Sequence, residues 1–455
     1  MGSQPRATTI PAPFSFGTSQ AFEGNDGSWS TFVIRVGTPE QVFHVMISTA
    51  GQETWVPVPQ GNGEYGFDTV GLQLPDSGGI SLQHQIVAGI ATKDFLFGIF
   101  ALGPKPTNFT SFDNPQPSYL YSLANQSIIP SLSWGYTAGA SYQLKGVPGS
   151  LTLGGYDESR FTANNLSFIF SADDSKPLTL GLQAIEATNT FQGVVSLLPQ
   201  GILTFIDSTV PEIWLPIRAC EIFEAALGLQ YDDRTQRYLV NETVHANLTA
   251  MNPVFTFKLG NDVDTSDTIV INLPYKAFDL QASWPIYDNA TNYFPVRRAD
   301  NDTQYTLGRT FLQEAYIIAD YERGNFSISQ CLFEENTTEK IIPIYAPFTE
   351  THKSGLSNAI IAVIVVVVVA VMIIGSLSYI LFYRWRKRKV EAKKAEQPIE
   401  GDQPVAFEVP GAKNEIFEVS SAREYRAEMP GVDMCHELAV TPTPHAELSA
   451  VNLGQ

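Results

Sequence analysis

Two stretches of the chain echo each other, VMISTAGQETWVP (45–57) and FIDSTVPEIWLP (205–216). In each, an apolar strand enters a polar turn and leaves on Trp, an aliphatic residue and Pro. The copies start about 160 residues apart. An echo at that spacing predicts two similar lobes. Outward from the two copies, between Trp29 and about Tyr345, short apolar or alternating runs are punctuated by Gly, Pro, Asn and Asp. STFVIRVG, FHVMIS, SLTLGGY, GILTFIDS, FTFKLG, TIVINLP, AYIIADY and GNFSIS are such runs. Their period of two is that of strands with one face buried. Helical spacing is rare, and PSYLYSLANQ (117–126) and CEIFEAALGL (220–229) carry it best. The reading predicts a mainly β protein of two lobes, 28–175 and 176–345, after a flexible lead-in at 1–27.

The chain has 455 residues, 16% of them charged and 11% aromatic, enough apolar material for a sizeable core. Its formal net charge of −19 excludes nucleic acid as a partner, because phosphate binding needs clustered Lys and Arg. The six histidines, at 44, 84, 245, 352, 436 and 445, show no metal-ligand spacing. No glycine loop is built to cradle phosphate. Neither metal nor cofactor is expected.

The run AIIAVIVVVVVAVMIIGSLSYILF (359–382) carries no charge. Its 24 residues would make a helix about 36 Å long, enough for a hydrocarbon core of about 30 Å. Arg384, Arg386, Lys387, Arg388 and Lys389 follow at once, and only Lys353 lies close on the other side. That asymmetry predicts a single membrane span with its C-terminus in the cytosol. Sequons stand at Asn108, Asn125, Asn165, Asn241, Asn247, Asn289, Asn301, Asn325 and Asn336, all before the span and none after it. This fits a glycosylated ectodomain on the plasma membrane or a secretory-pathway membrane. Residues 1–30 lack a basic start followed by an apolar run, so the true N-terminus is expected to lie upstream. Residues 346–358 read as a stalk. Residues 383–455 read as a disordered cytoplasmic tail, whose Thr-Pro-Thr-Pro run at 441–444 is a candidate docking or phosphorylation site with an unknown partner. In the oxidising compartment this implies, Cys220 and Cys331 are expected to pair, the alternative being two buried free thiols. Closing that loop would stabilise the fold by about 4–5 kcal/mol.

The two echoed turns bring a family into view. The β region resembles the pepsin-like aspartic proteases, especially fungal ones. Gly37-Thr38-Pro39-Glu40-Gln41 is similar to the family's Gly-Thr-Pro-x-Gln turn. Leu151-Thr152-Leu153-Gly154-Gly155-Tyr156-Asp157 is similar to its Leu-Gly-Gly-x-Asp segment. Leu307-Gly308-Arg309-Thr310-Phe311-Leu312, with Tyr316 and Asp320, is similar to its Leu-Gly-Asp-x-Phe-Leu run. The resemblance implies a bilobal antiparallel β fold with a cleft that takes a peptide or protein.

It also implies a reaction whose requirements can be checked. Two carboxylates about 3 Å apart share one proton, so that one activates water while the other polarises the peptide carbonyl. Each lobe of the family supplies one Asp from an Asp-Thr/Ser-Gly turn. Here the second turn is Asp207-Ser208-Thr209, which keeps the Asp. The first is Ser48-Thr49-Ala50, with Ser48 in place of the other. A hydroxyl stays neutral and cannot share the proton. Glu53 is a candidate substitute carboxylate, although a surface role suits it better. The family's flap, a hairpin carrying a Tyr over the cleft, would fall between Pro57 and Asp68, where only Val58–Phe67 stand and Tyr65 marks a remnant. The expectation is a membrane-anchored, catalytically impaired pseudoprotease that acts in binding or sensing. The alternative is an active surface aspartic endopeptidase using Asp207.

Overall fold

In the computed structural model, the described residues are 10–59, 64–91, 96–108, 111, 113–347 and 358–394. The chain divides into two compact units, Met1–Thr351 and His352–Gln455.

Strands form where branched and aromatic residues alternate with polar ones. In Val254–Gly260, Phe255, Phe257 and Leu259 face inward while Lys258 is exposed. Within the unit Met1–Thr351, strands of its first half, from Thr18 to Ala101, build a seven-stranded sheet, and strands of its second half, from Thr179 to Leu307, build an eight-stranded one. A six-stranded sheet takes strands from both halves, in the order Phe14–Phe16, Val147–Leu153, Ser133–Ala140, Ala315–Asp320, Asn325–Gln330, Phe168–Ile169. One continuous core holds both sets of aromatics: Phe16 lies 5.2 Å from Phe32 and 5.6 Å from Phe100 between ring centroids. In the same core Phe278 stacks on Phe294 at 4.7 Å, with Phe255 4.5 Å from Phe278. Each buried Phe stabilises the fold by about 1.5–3 kcal/mol.

The sequence echo is a topological echo. In the first lobe, Gln41–Ser48 runs parallel to Gly98–Ala101, which is antiparallel to Thr54–Pro57, which is parallel to Ser81–Ile90. In the second, Ile202–Ile206 runs parallel to Thr306–Leu307, which is antiparallel to Ile213–Pro216, which is parallel to Val296–Ala299. Both turns therefore leave their strands in the same setting.

Helix Ile217–Leu227 buries Ala219, Cys220, Phe223, Ala226 and Leu227, one stripe at helical spacing, and ends on Gly228 at φ 65°. Helix Tyr119–Asn125 is capped by the Ser118 side chain, which accepts from the Tyr121 N–H. A third helix, Glu242–Met251, was not expected. It buries only Leu248, so its sequence carries no apolar stripe to read.

Three expectations are corrected or bounded. The lead-in is not loose from residue 14 onward. Phe14–Phe16 pairs with Val147–Leu153, and Thr18–Glu23 pairs with Trp29–Val36. Phe16 turns its ring into the core, which fixes the segment. The Cys220–Cys331 disulfide is not formed, and both thiols are free and buried. They pack in different clusters, Cys220 in the main core and Cys331 beside Phe161 and Tyr316. Cys220 Sγ lies 3.4 Å from the Arg297 carbonyl, and Cys331 Sγ lies 3.3 Å from Thr137 Oγ1. In the second unit, helix Asn358–Lys394 covers the apolar run. Among the described residues, however, no helix is long and apolar enough to cross a membrane. The described side chains of that helix, 367 and 369–388, include Arg384, Arg386, Lys387 and Arg388, and the start of the expected span lies outside them. Most of the expected stalk and all of the tail beyond 394 also lie outside the described residues.

Candidate active site

The two echoed turns meet face to face and are tied by four reciprocal hydrogen bonds. The Thr49 hydroxyl accepts from the Ser208 N–H at 3.0 Å and donates to the Ile206 carbonyl at 3.3 Å. The Ser208 hydroxyl accepts from the Thr49 N–H at 3.0 Å and donates to the Ile47 carbonyl at 2.6 Å. Each hydroxyl thus bridges the opposite turn in the same way. Thr49 and Ser208 are 1% and 0% exposed, so these bonds exchange with little water. Ile47 precedes Ser48 and Ile206 precedes Asp207. This symmetry places Ser48 and Asp207 at equivalent positions.

What surrounds those two residues differs. The Asp207 carboxyl accepts from the Thr209 N–H at 2.8 Å. Ser48 Oγ accepts from the Gly51 N–H at 2.8 Å and lies 2.7 Å from Thr209 Oγ1. The partner that reaches Ser48 across the interface is therefore a hydroxyl. A Cβ on Gly51 would come within 2.9 Å of Ser48 Oγ, which requires the small residue here. Among the described residues, no carboxyl group hydrogen-bonds to Asp207. Glu53 is turned elsewhere, since its Oε1 accepts from Thr107 Oγ1 at 2.6 Å.

Tyr65 is 43% exposed and meets Trp55 edge to face at 6.3 Å. Burial, and then Glu53, hold its hydroxyl above the ordinary tyrosine value. Its strand, Glu64–Leu72, pairs with Ser81–Ile90, and only 58–63 separate it from strand Thr54–Pro57. That is too few residues for two further strands and a turn. Tyr65 therefore sits at the start of strand Glu64–Leu72.

Sequence reasoning missed Arg309, which is 5% exposed. Its Nη1 donates to the Ser208 and Thr209 carbonyls at 3.0 and 2.7 Å, and its Nη2 lies 3.4 Å from Asp26 Oδ2. The guanidinium also lies 4.9 Å from the Trp29 ring centroid. The backbone shows why position 309 reaches the turn. The Arg309 N–H donates to the Val210 carbonyl at 2.8 Å, just as the Gly103 N–H donates to the Gly51 carbonyl at 2.8 Å in the other lobe. The departure Leu-Gly-Arg from Leu-Gly-Asp was the available signal, because it reverses a charge.

Of the nine sequon asparagines, all are exposed except Asn325, which is half-buried. Asn241 and Asn301 use their side chains as helix caps. Among the described residues, no group of three or more His, Cys, Asp or Glu is placed to hold a metal ion.

The family model for eukaryotic aspartyl proteases matches residues 60–331, more than half of the chain. The aspartic proteinase of Irpex lacteus superposes on 72% of this chain and 99% of its own, with a TM-score of 0.51 and 17% identity. That likeness is one of fold. No curated protein matches in sequence.

Proposed function

The chain belongs to the eukaryotic aspartyl protease family, and we propose that it has kept the bilobal fold while losing peptide hydrolysis, so that its cleft binds rather than cuts. One observation carries this reading. At the position equivalent to Asp207, across four reciprocal hydrogen bonds, stands Ser48, whose nearest partner in the opposite turn is the Thr209 hydroxyl. Two hydroxyls 2.7 Å apart exchange a neutral hydrogen bond. They cannot hold the shared proton of a carboxylate pair, so acid and base roles cannot be divided between the turns. Losing one such role costs about 10²–10⁴ in rate, and here both depend on the pair. That only six residues of sequence join strand Thr54–Pro57 to strand Glu64–Leu72 supports the same reading, because a covering hairpin needs more.

The membrane and glycan readings belong to the same proposal. The uncharged run 359–382, followed by its basic cluster, anchors the protein with the sequon-bearing region outside. The nine sequon asparagines being exposed or half-buried supports their modification.

The test is an acid-pH peptide hydrolysis assay on the full-length chain, with Asp207→Ala beside it. No turnover between about pH 3 and pH 7 is expected. Turnover that Asp207→Ala abolishes would overturn the reading. A Ser48→Asp, Ala50→Gly, Thr209→Gly chain supplies the missing carboxyl and the two glycines, and should gain turnover that Asp207→Ala removes.

A further inference from the structure

Beside the paired turns lies a cavity of about 290 Å³, walled by both lobes. Three guanidinium groups line it, Arg237, Arg297 and Arg309, together with the carboxyls of Asp26 and Glu212. Guanidinium is charged at every accessible pH, so three fixed positive charges face at most two negative ones. In a chain of net charge −19, such a local excess runs against the general field.

The ion pairs within this wall are long. Arg237 Nη2 and Arg297 Nη1 lie 3.3 and 3.9 Å from the same oxygen, Glu212 Oε1, and Arg309 Nη2 lies 3.4 Å from Asp26. Glu212 Oε1 and the Nε atoms of Arg237 and Arg309 have no hydrogen-bond partner in the protein. Glu212 is 3% exposed and Arg309 is 5% exposed. Buried polar groups are ordinarily satisfied; Glu212 Oε1 is an acceptor that an anion does not complete, so the two Nε–H donors are the open groups that suit an anionic ligand. Arg297 is the most accessible of the three, with its side chain 22% exposed and its guanidinium 4.4 Å from the Trp214 ring centroid. Met46 and Ile99, which also line the cavity, are apolar. Together these walls suit an aliphatic stem that ends in a carboxylate. The volume is close to the lower end for ligand pockets, about 300 Å³, which fits a side chain rather than a large molecule.

We infer that this cavity receives the carboxylate side chain of an acidic peptide lying in the cleft between the lobes. The inference rests on the reading of the cleft as a binding site and names the class of ligand it prefers.

The experiment titrates the full-length chain against fluorescein-labelled, C-terminally amidated nonapeptides of Ala and Ser with a central Glu-Glu or its isostere Gln-Gln. Anisotropy is read at low and high salt. The Glu peptide should bind about tenfold or more tightly than the Gln peptide, as charge-assisted hydrogen bonds provide. High salt should shrink that preference. Arg297→Gln should abolish it, and Arg297→Lys should restore part of it. Equal binding of the two peptides would overturn the acidic preference and leave the cleft-binding reading intact. A preference that survives Arg297→Gln would place the carboxylate elsewhere and overturn the inference. Binding of neither peptide would also overturn it, while loss of catalysis is decided separately by the hydrolysis assay. A Gln-Gln peptide with a free C-terminus that binds as tightly as the Glu peptide would overturn the side-chain assignment in favour of a chain terminus.

Discussion

At position 48 a single oxygen type decides the chemistry. Ser48 keeps the polarity and size needed to accept from the Gly51 N–H. It cannot supply the charge that would make Asp207 half of a pair. Next to it, Thr49 and Ser208 have a structural task that does not depend on catalysis. Each Oγ accepts one N–H and donates to one carbonyl in the opposite turn. Thr49→Val keeps the shape but strands the buried Ser208 N–H. The loss should cost about 2–3 kcal/mol, read as a lower urea midpoint for the full-length chain. Ser208→Ala should cost a similar amount, because the two residues play the same part in related turns. A negligible effect of both would mean that these bonds do not hold the turns together.

At the level of elements, helix Ile217–Leu227 and strand Asn325–Gln330 decide the fate of the cysteines. The helix points Cys220 into its apolar stripe, and Cys331 follows directly after the strand, under Phe161 and Tyr316. Burial pushes both thiols up to about 12, far from the thiolate that reacts. In a Cys435→Ser chain, a thiol reagent such as DTNB should release no product from the native protein and two equivalents after denaturation. A silent denatured chain would mean that the disulfide exists after all. The pairing was not legible from the sequence because a spacing of about 110 residues sets the entropy of a loop but not where its ends point.

For the molecule as a whole, buried carboxyls shape the response to pH. Burial raises Glu314, although Gln143, Tyr142 and Gln330 donate to it, and burial raises Glu212 despite Arg237 and Arg297. A raised folded value means that the native state keeps a proton the unfolded chain has already released. The contribution of each group is therefore full below the ordinary carboxylate range, about pH 4.3, and is lost as pH rises through the raised value. Glu314→Gln retains an acceptor oxygen and removes the titration. The variant should lose less stability than the parent between mildly acidic and neutral pH, measured by urea unfolding at each pH. Parallel curves for the two chains would remove Glu314 as a source of pH dependence.

The amino-acid sequence alone determined the β character, the two-lobed repeat and the positions of Ser48 and Asp207. A period of two and a duplicated strand–turn–Trp-x-Pro are local patterns, and each names its own residues. Only the tertiary structure decided which groups meet. It brought Thr209 rather than a carboxyl to Ser48, turned Glu53 to Thr107, and set Arg309 under the second turn and against Asp26. It also separated Cys220 from Cys331. Those outcomes depend on the direction of side chains from elements far apart in the chain. No local period encodes that direction, because packing between distant strands sets it.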